Sequence, residues 1–123
     1  MRTGIDIIQI SRLENKQNDR LVKRILTEKE INYLKSKSKD GEYNLRTLAG
    51  LYSAKEAVSK ALGTGVLSEI SFQDIEIDHD DKGRPISILS PKAQKILFAC
   101  GGSEISVSIS HDGDYATSVC VII

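Results

Sequence analysis

The sequence predicts an α+β fold in which a small mixed sheet packs around one long central helix. Three observations support this prediction. The chain has 123 residues, 40% of them hydrophobic, which is enough for one core and one domain, 1–123, but not for two domains. Helix-like and strand-like segments follow each other without regular alternation, as in α+β proteins. One segment near the middle has the length and apolar periodicity of a buried helix.

The central helix is predicted from Leu45 to Leu62. Gly63 follows it and is typical of a residue that ends a helix in the left-handed conformation. One face of this helix carries the large apolar residues Leu48, Leu51, Val58 and Leu62. A second face carries the small residues Gly50, Ala54, Ala57 and Ala61. Because small residues let another backbone approach closely, we expect the helix to be buried on two sides.

Before the central helix, a buried strand is predicted at 3–8 and one or two short helices within 11–25. A capped helix at 27–36 and a loop at 37–44 are predicted to follow. The isoleucines of the strand favour β-structure, and Gly4 allows a close approach to it. Thr27 and Glu30 have the spacing of a capping box. The short helices are interrupted by a polar stretch at 15–19.

After the central helix, two strands at 70–78 and 86–89 are predicted on either side of an acidic turn. A further helix at 91–100 and a terminal hairpin with strands at 105–110 and 115–123 are predicted to follow. Ser90 and Pro91 supply the N-cap and first residue of the helix. Residues 111–114 are predicted to form the hairpin turn. The hairpin ends with more apolar surface than one face can bury, which indicates association (Val119, Val121, Ile122 and Ile123).

Composition argues against several classes of protein. The longest apolar stretch, 119–123, is far shorter than the ~20 residues of a membrane span, so no membrane association is expected. The start of the chain lacks the apolar block of a secretory signal, which predicts a cytoplasmic protein. Cys100 and Cys120 have neither metal-site nor disulfide-framework spacing, and we interpret both as reduced.

Charge is balanced overall but uneven along the chain, with 17 basic and 17 acidic residues in total. Residues 12–39 carry nine basic and four acidic side chains, a local charge of +5. This segment is either a solvated helix face or a surface for an acidic protein or a phosphate ligand. Nucleic acid is not expected as a partner, because Tyr33 is the segment's single aromatic residue and stacking platforms are therefore lacking.

Three charged residues are candidates for a site. Asp6 interrupts an apolar strand, and a buried carboxylate needs a cation or hydrogen-bond donors; a salt bridge would satisfy it. Glu56 and Lys60 lie four residues apart on the central helix, which is equally the spacing of an ordinary surface pair. If the Asp6 strand packs near them, two carboxylates converge as they do in Mg²⁺ sites completed by water and phosphate.

Two further motifs have simple interpretations. Gly63-Thr64-Gly65 resembles a phosphate loop, but it follows a helix, whereas a P-loop precedes one and uses the positive end of the helix. His111 ends a strand, where it is either a turn histidine or a contact for a phosphate or base. The two histidines and two cysteines lack zinc-site spacing.

Three blocks of sequence together resemble one family. They are Gly4-Ile5-Asp6-Ile7, the segment 53–65 (SAKEAVSKALGTG) and Ser108-Ile109-Ser110-His111. In this order and chain length they resemble the holo-acyl-carrier-protein synthases, the short bacterial 4′-phosphopantetheinyl transferases. The resemblance implies transfer of phosphopantetheine from coenzyme A to a serine of acyl carrier protein, which releases adenosine 3′,5′-bisphosphate. It also implies Mg²⁺ (or Mn²⁺) and a homotrimer with sites between subunits, acting in fatty acid biosynthesis.

The same resemblance implies roles for individual residues. It assigns the metal to Asp6 and Glu56, catalytic roles to Glu56 and Lys60, and coenzyme A phosphates to Lys60 and His111. It places Gly83, Arg84 and Pro85 near the adenine of coenzyme A. It assigns contacts with the acidic carrier protein to Arg12 and Arg20. The chain departs from the family at Leu51-Tyr52, where Arg-Phe is more usual.

Two points stay open at the level of sequence. The proton of the attacking serine could pass to Glu56, to another carboxylate or to a metal-bound water. A binding module that docks an acidic protein without modifying it, or a nucleic-acid binder, would also use a basic segment. Binding of the carrier protein without its modification would identify a binding module.

Overall fold

A computed structural model describes residues 1–15, 19–65 and 69–123 of the chain. The chain begins with strand β1 (Arg2–Gln9) and a 3₁₀ turn (Ile10–Leu13), followed by helices α1 (Asp19–Ile25), α2 (Glu28–Ser36) and α3 (Leu45–Leu62). A second 3₁₀ turn (Phe72–Asp74) leads into strands β2 (Ile75–His79) and β3 (Pro85–Leu89). Helix α4 (Pro91–Ala99) and strands β4 (Ile105–Asp112) and β5 (Tyr115–Ile122) complete the fold. The predicted α+β class is confirmed. Within the polar stretch 15–19, residues 16–18 lie outside the described part.

The described strands form two antiparallel sheets. One sheet has the order β1-β5-β4 and the other consists of β2 and β3, and every pairing in them is antiparallel. The prediction of one mixed sheet is therefore wrong. Two hairpins account for two of the pairings, and β1 runs antiparallel to β5, so no parallel crossover is needed.

Helix α3 packs its small-residue face onto the three-stranded sheet. A Cβ atom on Gly4 would lie 2.6 Å from the amide nitrogen of Ala61 and even closer to the carbonyl oxygen of Ala57. A glycine is thus required where β1 crosses the helix. At the other end of α3, a Cβ on Gly50 would lie 3.1 Å from the ring of His111. The predicted burial of α3 on two sides is confirmed, since both apolar faces are buried.

Local signals determine the ends of the helices as predicted. Helix α3 ends at Leu62, and Gly63 has a φ of 84°. The Thr27–Glu30 capping box is present at the start of α2, and the Ser90 side chain caps α4 with Pro91 in its first turn. These interactions involve residues at most four apart, so they form largely independently of the rest of the fold.

Strand β1 differs from the predicted buried strand. Ile5 and Ile7 are 65% and 66% exposed in the single chain, while Gly4 is buried. Alternate side chains of a strand point to opposite faces, and α3 covers the face that carries Gly4, Asp6 and Ile8. The two isoleucines therefore form part of an exposed outer face.

The terminal hairpin contains two further differences. His111 lies within β4 opposite Ala116 rather than in the turn, which is at residues 113–114. Ile122 is 1% exposed and belongs to the core, so it is not part of the predicted association surface; Val119 and Ile123 are exposed. The strand predicted from residue 70 begins at Ile75, after the turn Phe72–Asp74.

One core joins the elements. The buried apolar side chains of the described residues form a single cluster around α3. Among the described residues, no helix has both the length and the apolar character needed to cross a membrane.

Candidate active site

Asp6 lies on the face of the sheet that packs against α3. Its backbone is paired with Ser118 of β5, and its carbonyl oxygen accepts a hydrogen bond of 2.8 Å from the Thr117 hydroxyl. The Ser118 hydroxyl is buried and lies 2.6 Å from that of Ser53 on α3. These contacts hold the central part of β1 and the side chain of Asp6 against the helix.

Lys60 reaches Asp6 from the last turn of α3. Its ammonium nitrogen lies 3.1 Å from Asp6 Oδ1 and donates to the Ile5 carbonyl oxygen at 3.0 Å. The Lys60 side chain is 51% exposed, whereas that of Asp6 is 15% exposed. The salt bridge considered for Asp6 is therefore present, and its cation is one of the predicted site residues. Because Lys60 is half exposed, it can also contact a ligand phosphate.

Glu56 completes a group of two carboxylates and one ammonium. Burial raises the pKa of Glu56, and the nearby Asp6 charge raises it further, while Lys60 opposes the shift. The three charged groups therefore influence one another electrostatically. When Asp6 and Glu56 are both ionised, Lys60 supplies one positive charge against their two negative charges.

Tyr52 is a neighbour of this group that the sequence analysis did not identify as functional. Burial raises the pKa of Tyr52, and the Glu56 and Asp6 charges add to this effect. A hydrogen-bonding interaction of the Tyr52 hydroxyl with Glu56 also contributes to this shift, and the Tyr52 ring lies 5.6 Å from that of Phe72. The i, i+4 spacing of Tyr52 and Glu56 on a helix was the available signal.

Arg12 and Asp6 line the same cavity, which has a volume of about 330 Å³ and also contains Tyr52. Arg12 is exposed in the 3₁₀ turn after β1, and Arg20 is exposed in the first turn of α1. The structure therefore places Arg12 in the cavity that contains Asp6 and Arg20 on the following helix.

His111 belongs to a second cavity, of about 200 Å³, between α3 and the two sheets. Gly83 and Pro85 line it together with His111, so three residues predicted to contact coenzyme A converge there. The Nε2 atom of His111 lies 2.9 Å from the Arg46 carbonyl oxygen. That contact leaves Nδ1 of the ring as the other polar atom for a ligand.

The predicted adenine loop is a tight turn organised by one carboxylate. Asp80 accepts hydrogen bonds from the backbone N–H groups of Lys82 and Arg84, at 2.9 and 2.8 Å, and Gly83 has a φ of 84°. The Arg84 side chain is 71% exposed and pairs with Asp80 at 3.3 Å. Arg84 is not among the residues that line the His111 cavity, whereas Gly83 and Pro85 are.

Two aromatic rings in the His111 cavity were not identified from the sequence. Tyr33 and His79 both line it, and they stack with centroids 4.0 Å apart and an angle of 11° between the rings. Burial lowers the pKa of His79, so the neutral ring is favoured. The stack joins α2 to the end of β2, a contact between distant segments that periodicity cannot reveal.

A buried ion pair supports the opposite side of α3. Lys55 and Glu30 are fully buried and lie 2.6 Å apart. Burial raises the pKa of Glu30 and lowers that of Lys55, while their attraction opposes both shifts. Lys55 directly precedes Glu56 in the sequence, but its side chain is in the core and has a structural role.

The Gly63-Thr64-Gly65 segment is not a phosphate loop. The backbone N–H groups of all three residues donate to carbonyl oxygens of Ser59 or Lys60 in the last turn of α3. Those amides are occupied, and they lie at the negative end of the helix.

The arrangement can hold a divalent cation and phosphates. Asp6 and Glu56 present hard oxygen ligands, and no group of three or more histidine, cysteine or acidic side chains suited to a metal occurs among the described residues. Two carboxylates with water and phosphate oxygens fit Mg²⁺, which seldom has an all-protein cage. The donor set and the repulsion between the two carboxylates both fit this ion.

Comparison with known proteins identifies the family. The model of the 4′-phosphopantetheinyl transferase superfamily matches residues 2–120. The chain is 42% identical over 123 residues to the holo-[acyl-carrier-protein] synthase of Finegoldia magna, covering 99% of this chain and 95% of that protein. It is 40% identical over 121 residues to that of Clostridium acetobutylicum, covering 97% and 94%.

Solved structures agree with the sequence comparison. The Helicobacter pylori holo-[acyl-carrier-protein] synthase, determined in complex with coenzyme A, superposes with a TM-score of 0.81 at 35% identity and covers 98% of this chain and 99% of its own. The Bacillus anthracis enzyme, also determined with coenzyme A, gives a TM-score of 0.80 at 40% identity, with coverage of 98% and 94%. The resemblance seen in the sequence is confirmed: this chain belongs to the 4′-phosphopantetheinyl transferase superfamily.

Proposed function

We propose that the chain transfers the 4′-phosphopantetheine group of coenzyme A to a serine of apo-acyl carrier protein, which yields the holo-carrier and adenosine 3′,5′-bisphosphate. The observation that carries this proposal is the group formed by Asp6, Glu56 and Lys60, in a chain whose relatives are named holo-[acyl-carrier-protein] synthase. The whole chain, 1–123, is proposed to be one catalytic domain.

Asp6 and Glu56 would hold Mg²⁺, with Mn²⁺ as an alternative of similar ligand preference. When bound, the ion would neutralise the charge of the pyrophosphate of coenzyme A and orient it. The donor set fits this role because both ligands are carboxylates and neither has an ordinary surface environment: Asp6 is 15% exposed, and burial raises the pKa of Glu56.

Lys60 is proposed to neutralise the phosphate that is attacked. The serine oxygen forms a bond to the β-phosphorus while the bond from that phosphorus to the bridging oxygen breaks, and the electron pair leaves with adenosine 3′,5′-bisphosphate. Such transfers depend mainly on positioning and charge neutralisation. Glu56 is proposed as the acceptor of the serine proton, because it is a carboxylate of the same group, one helical turn from Lys60.

The nucleotide end of coenzyme A is proposed to occupy the His111 cavity. Gly83 and Pro85 border that cavity and offer the close backbone approach that a flat ring needs. His111 is placed to contact a phosphate through Nδ1, since Nε2 lies near the Arg46 carbonyl. Arg84 is proposed to contact the ligand from outside the cavity, where its exposed side chain can move.

Acyl carrier protein is the proposed partner of the basic segment. Arg12 and Arg20 are exposed, and Arg12 lines the cavity that contains Asp6. A carrier held by these arginines would bring its serine toward the carboxylates. An acidic protein is attracted to such a surface over a Debye length of about 10 Å at 0.1 M salt.

A homotrimer with ligands between subunits is the proposed working form. The cavity that contains Asp6 and the cavity that contains His111 share no lining residue. A ligand as long as coenzyme A, which contacts both Asp6-type and His111-type residues, would therefore need a surface that joins them, and a second subunit can provide it. The outer face of β1 and β5 is apolar and exposed, with Ile5 directly opposite Val119. Closed symmetry would bury this face at equivalent interfaces.

The proposed setting is the cytoplasm, in fatty acid biosynthesis, where acyl carrier proteins require this modification. The two cysteines are unpaired, and Cys120 is buried in the sheet with its pKa raised to about 12 by burial. Such a thiol is unreactive, in keeping with a reducing compartment.

One experiment tests the activity directly. The protein is incubated with coenzyme A, Mg²⁺ and apo-acyl carrier protein, and the intact mass of the carrier is measured. A mass increase equal to one phosphopantetheine group, absent without Mg²⁺ or with a carrier whose acceptor serine is replaced by alanine, supports the proposal. Stable binding of the carrier without a mass change would instead indicate a binding module.

A further inference from the structure

The C-terminal end of α1 is stabilised by side chains from two other elements. The last four carbonyl groups of a helix lack partners within it. In α1 the Val22 carbonyl accepts a hydrogen bond from the Leu26 amide at 2.8 Å, and that of Ile25 accepts one from Lys55 at 2.9 Å. The two carbonyls between them are left to a single glutamine.

Gln73 supplies those hydrogen bonds. Its side-chain amide lies 3.1 Å from the Lys23 carbonyl oxygen, 3.3 Å from that of Arg24 and 2.8 Å from that of Leu26. The two amide hydrogens are thus shared among three acceptors around the end of the helix. Gln73 is in the 3₁₀ turn Phe72–Asp74, about 50 residues from α1 in sequence.

Helix α1 depends on such external caps because it has only seven residues. An isolated helix of that length is not stable in water. Lys55 is buried, and besides its bond to Ile25 it donates to the Phe72 carbonyl and pairs with Glu30. Lys55 therefore stabilises the core, whereas Gln73 is exposed and its side chain donates to the end of α1 and to Leu26, the residue that follows it.

Helix α1 also carries basic side chains of the proposed carrier surface. Arg20 is in its first turn, and Lys23 and Arg24 are in its last. A helix that frays at its C-terminal end no longer holds these charges in a single arrangement. Each encounter with the carrier must then order the helix before the contacts form, at a cost in affinity.

We propose that Gln73 is a positioning residue for carrier recognition, which acts by capping the C-terminal end of the helix that carries Arg20. Gln73 lines neither the cavity that contains Asp6 nor the one that contains His111. The inference rests on the proposed function, because it requires α1 to contact the carrier protein.

Two variants separate hydrogen bonding from charge. Gln73→Met keeps the length of the side chain and removes its donors, whereas Gln73→Glu also adds a negative charge near the negative end of the helix. Loss of these bonds is expected to raise KM for the carrier about 3- to 10-fold, with a larger rise for Gln73→Glu. The KM for coenzyme A and the value of kcat should change less than twofold.

Hydrogen exchange supplies a readout that is independent of activity. In Gln73→Met, amides near the end of α1, including that of Leu26, should exchange faster, while those of α3 should not change. Gln94→Met is the matched control, because Gln94 donates a comparable hydrogen bond of 3.3 Å to the Leu89 carbonyl from α4. This control should leave the exchange of α1 and KM for the carrier unchanged.

The outcomes distinguish this inference from the proposed function. If Arg20→Glu raises KM for the carrier but Gln73→Met changes neither that KM nor the exchange of α1, the role of Gln73 is refuted and the carrier surface stands. If Gln73→Met speeds exchange in α1 but Arg20→Glu leaves KM unchanged, α1 is not a carrier surface and the inference is overturned with it. A rise in KM with Gln73→Glu alone would reveal a simple charge effect and also overturn the inference.

Discussion

Lys60 Nζ lies 3.1 Å from Asp6 Oδ1, although the two residues are 54 positions apart in the chain. The contact joins the inward face of β1 to the last turn of α3, next to Glu56. It brings one positive charge to Asp6, and Glu56 lies one turn before Lys60 on α3. A divalent cation and a phosphate together can satisfy all three groups, since the cation binds the carboxylates and the phosphate binds the lysine.

Removal of one carboxylate charge is expected to weaken metal binding without unfolding the protein. Asp6→Asn and Glu56→Gln preserve side-chain volume but each removes a ligand charge, so the Mg²⁺ concentration for half-maximal activity should rise at least about tenfold, the range seen when a metal's coordination is perturbed. Titration of activity with Mg²⁺ measures this. Glu104→Gln, which replaces an exposed acid elsewhere, is the control. Unchanged metal dependence in both site variants would refute the shared site.

Glu56→Gln should also stabilise the metal-free protein at neutral pH. An acid whose folded pKa is raised above its unfolded value destabilises the folded state as pH rises from the unfolded pKa, and the effect is complete above the folded pKa. Burial and Asp6 raise the pKa of Glu56 in this way. The Tm at pH 7.5 in a chelator should therefore be higher for Glu56→Gln than for the wild type. The gain should shrink as pH falls through the raised pKa, because the wild-type carboxyl then becomes neutral. Thermal unfolding across pH gives the answer, and a gain independent of pH would contradict the electrostatic origin.

Charge reversal in the basic segment should weaken the carrier interaction selectively. Arg12→Glu with Arg20→Glu exchanges attraction for repulsion toward an acidic protein, so KM for the carrier should rise about tenfold or more at low salt. The KM for coenzyme A should change little, and the difference between variant and wild type should narrow as salt screens the charges. Lys92→Glu, on α4, is the control. An unaltered carrier KM would return the segment to a solvated face.

A charge on the outer face of β1 should prevent assembly. Ile7 is 66% exposed in the single chain, so Ile7→Lys should leave the fold intact but dissociate a trimer built on this face, and activity should fall with it. Ile88→Lys is the control, because Ile88 is 42% exposed on β3 of the other sheet. Light scattering and activity are read across a dilution series. Full activity in a wild-type monomer would reject sites between subunits.

Much of the candidate site could be predicted from the sequence because its residues are chemically conspicuous. Asp6 is a charge in an isoleucine strand, and Glu56 and Lys60 share one stripe of a long helix. Contacts of Gly83, Pro85 and His111 with coenzyme A were implied by resemblance, and the structure brings these three residues to one cavity. Tyr52 and the Tyr33–His79 stack were missed, since aromatic residues with helical or strand periodicity are ordinarily core residues.

The sequence by itself determined the features that depend on neighbours within one turn. The bounds of α3, its end at Gly63 and the capping box of α2 are formed by contacts between residues at most four apart. The tertiary structure alone decided which strands pair, that Ile5 and Ile7 face outward, and that Lys55 pairs with Glu30 in the core while Lys60 reaches Asp6. Both lysines are on the same helix, five residues apart, and differ in role because α1 and α2 cover one side of α3 and the sheet covers the other. Hydrogen bonds within a turn need no distant partner, whereas the burial and pairing of a charge depend on which segment folds against it.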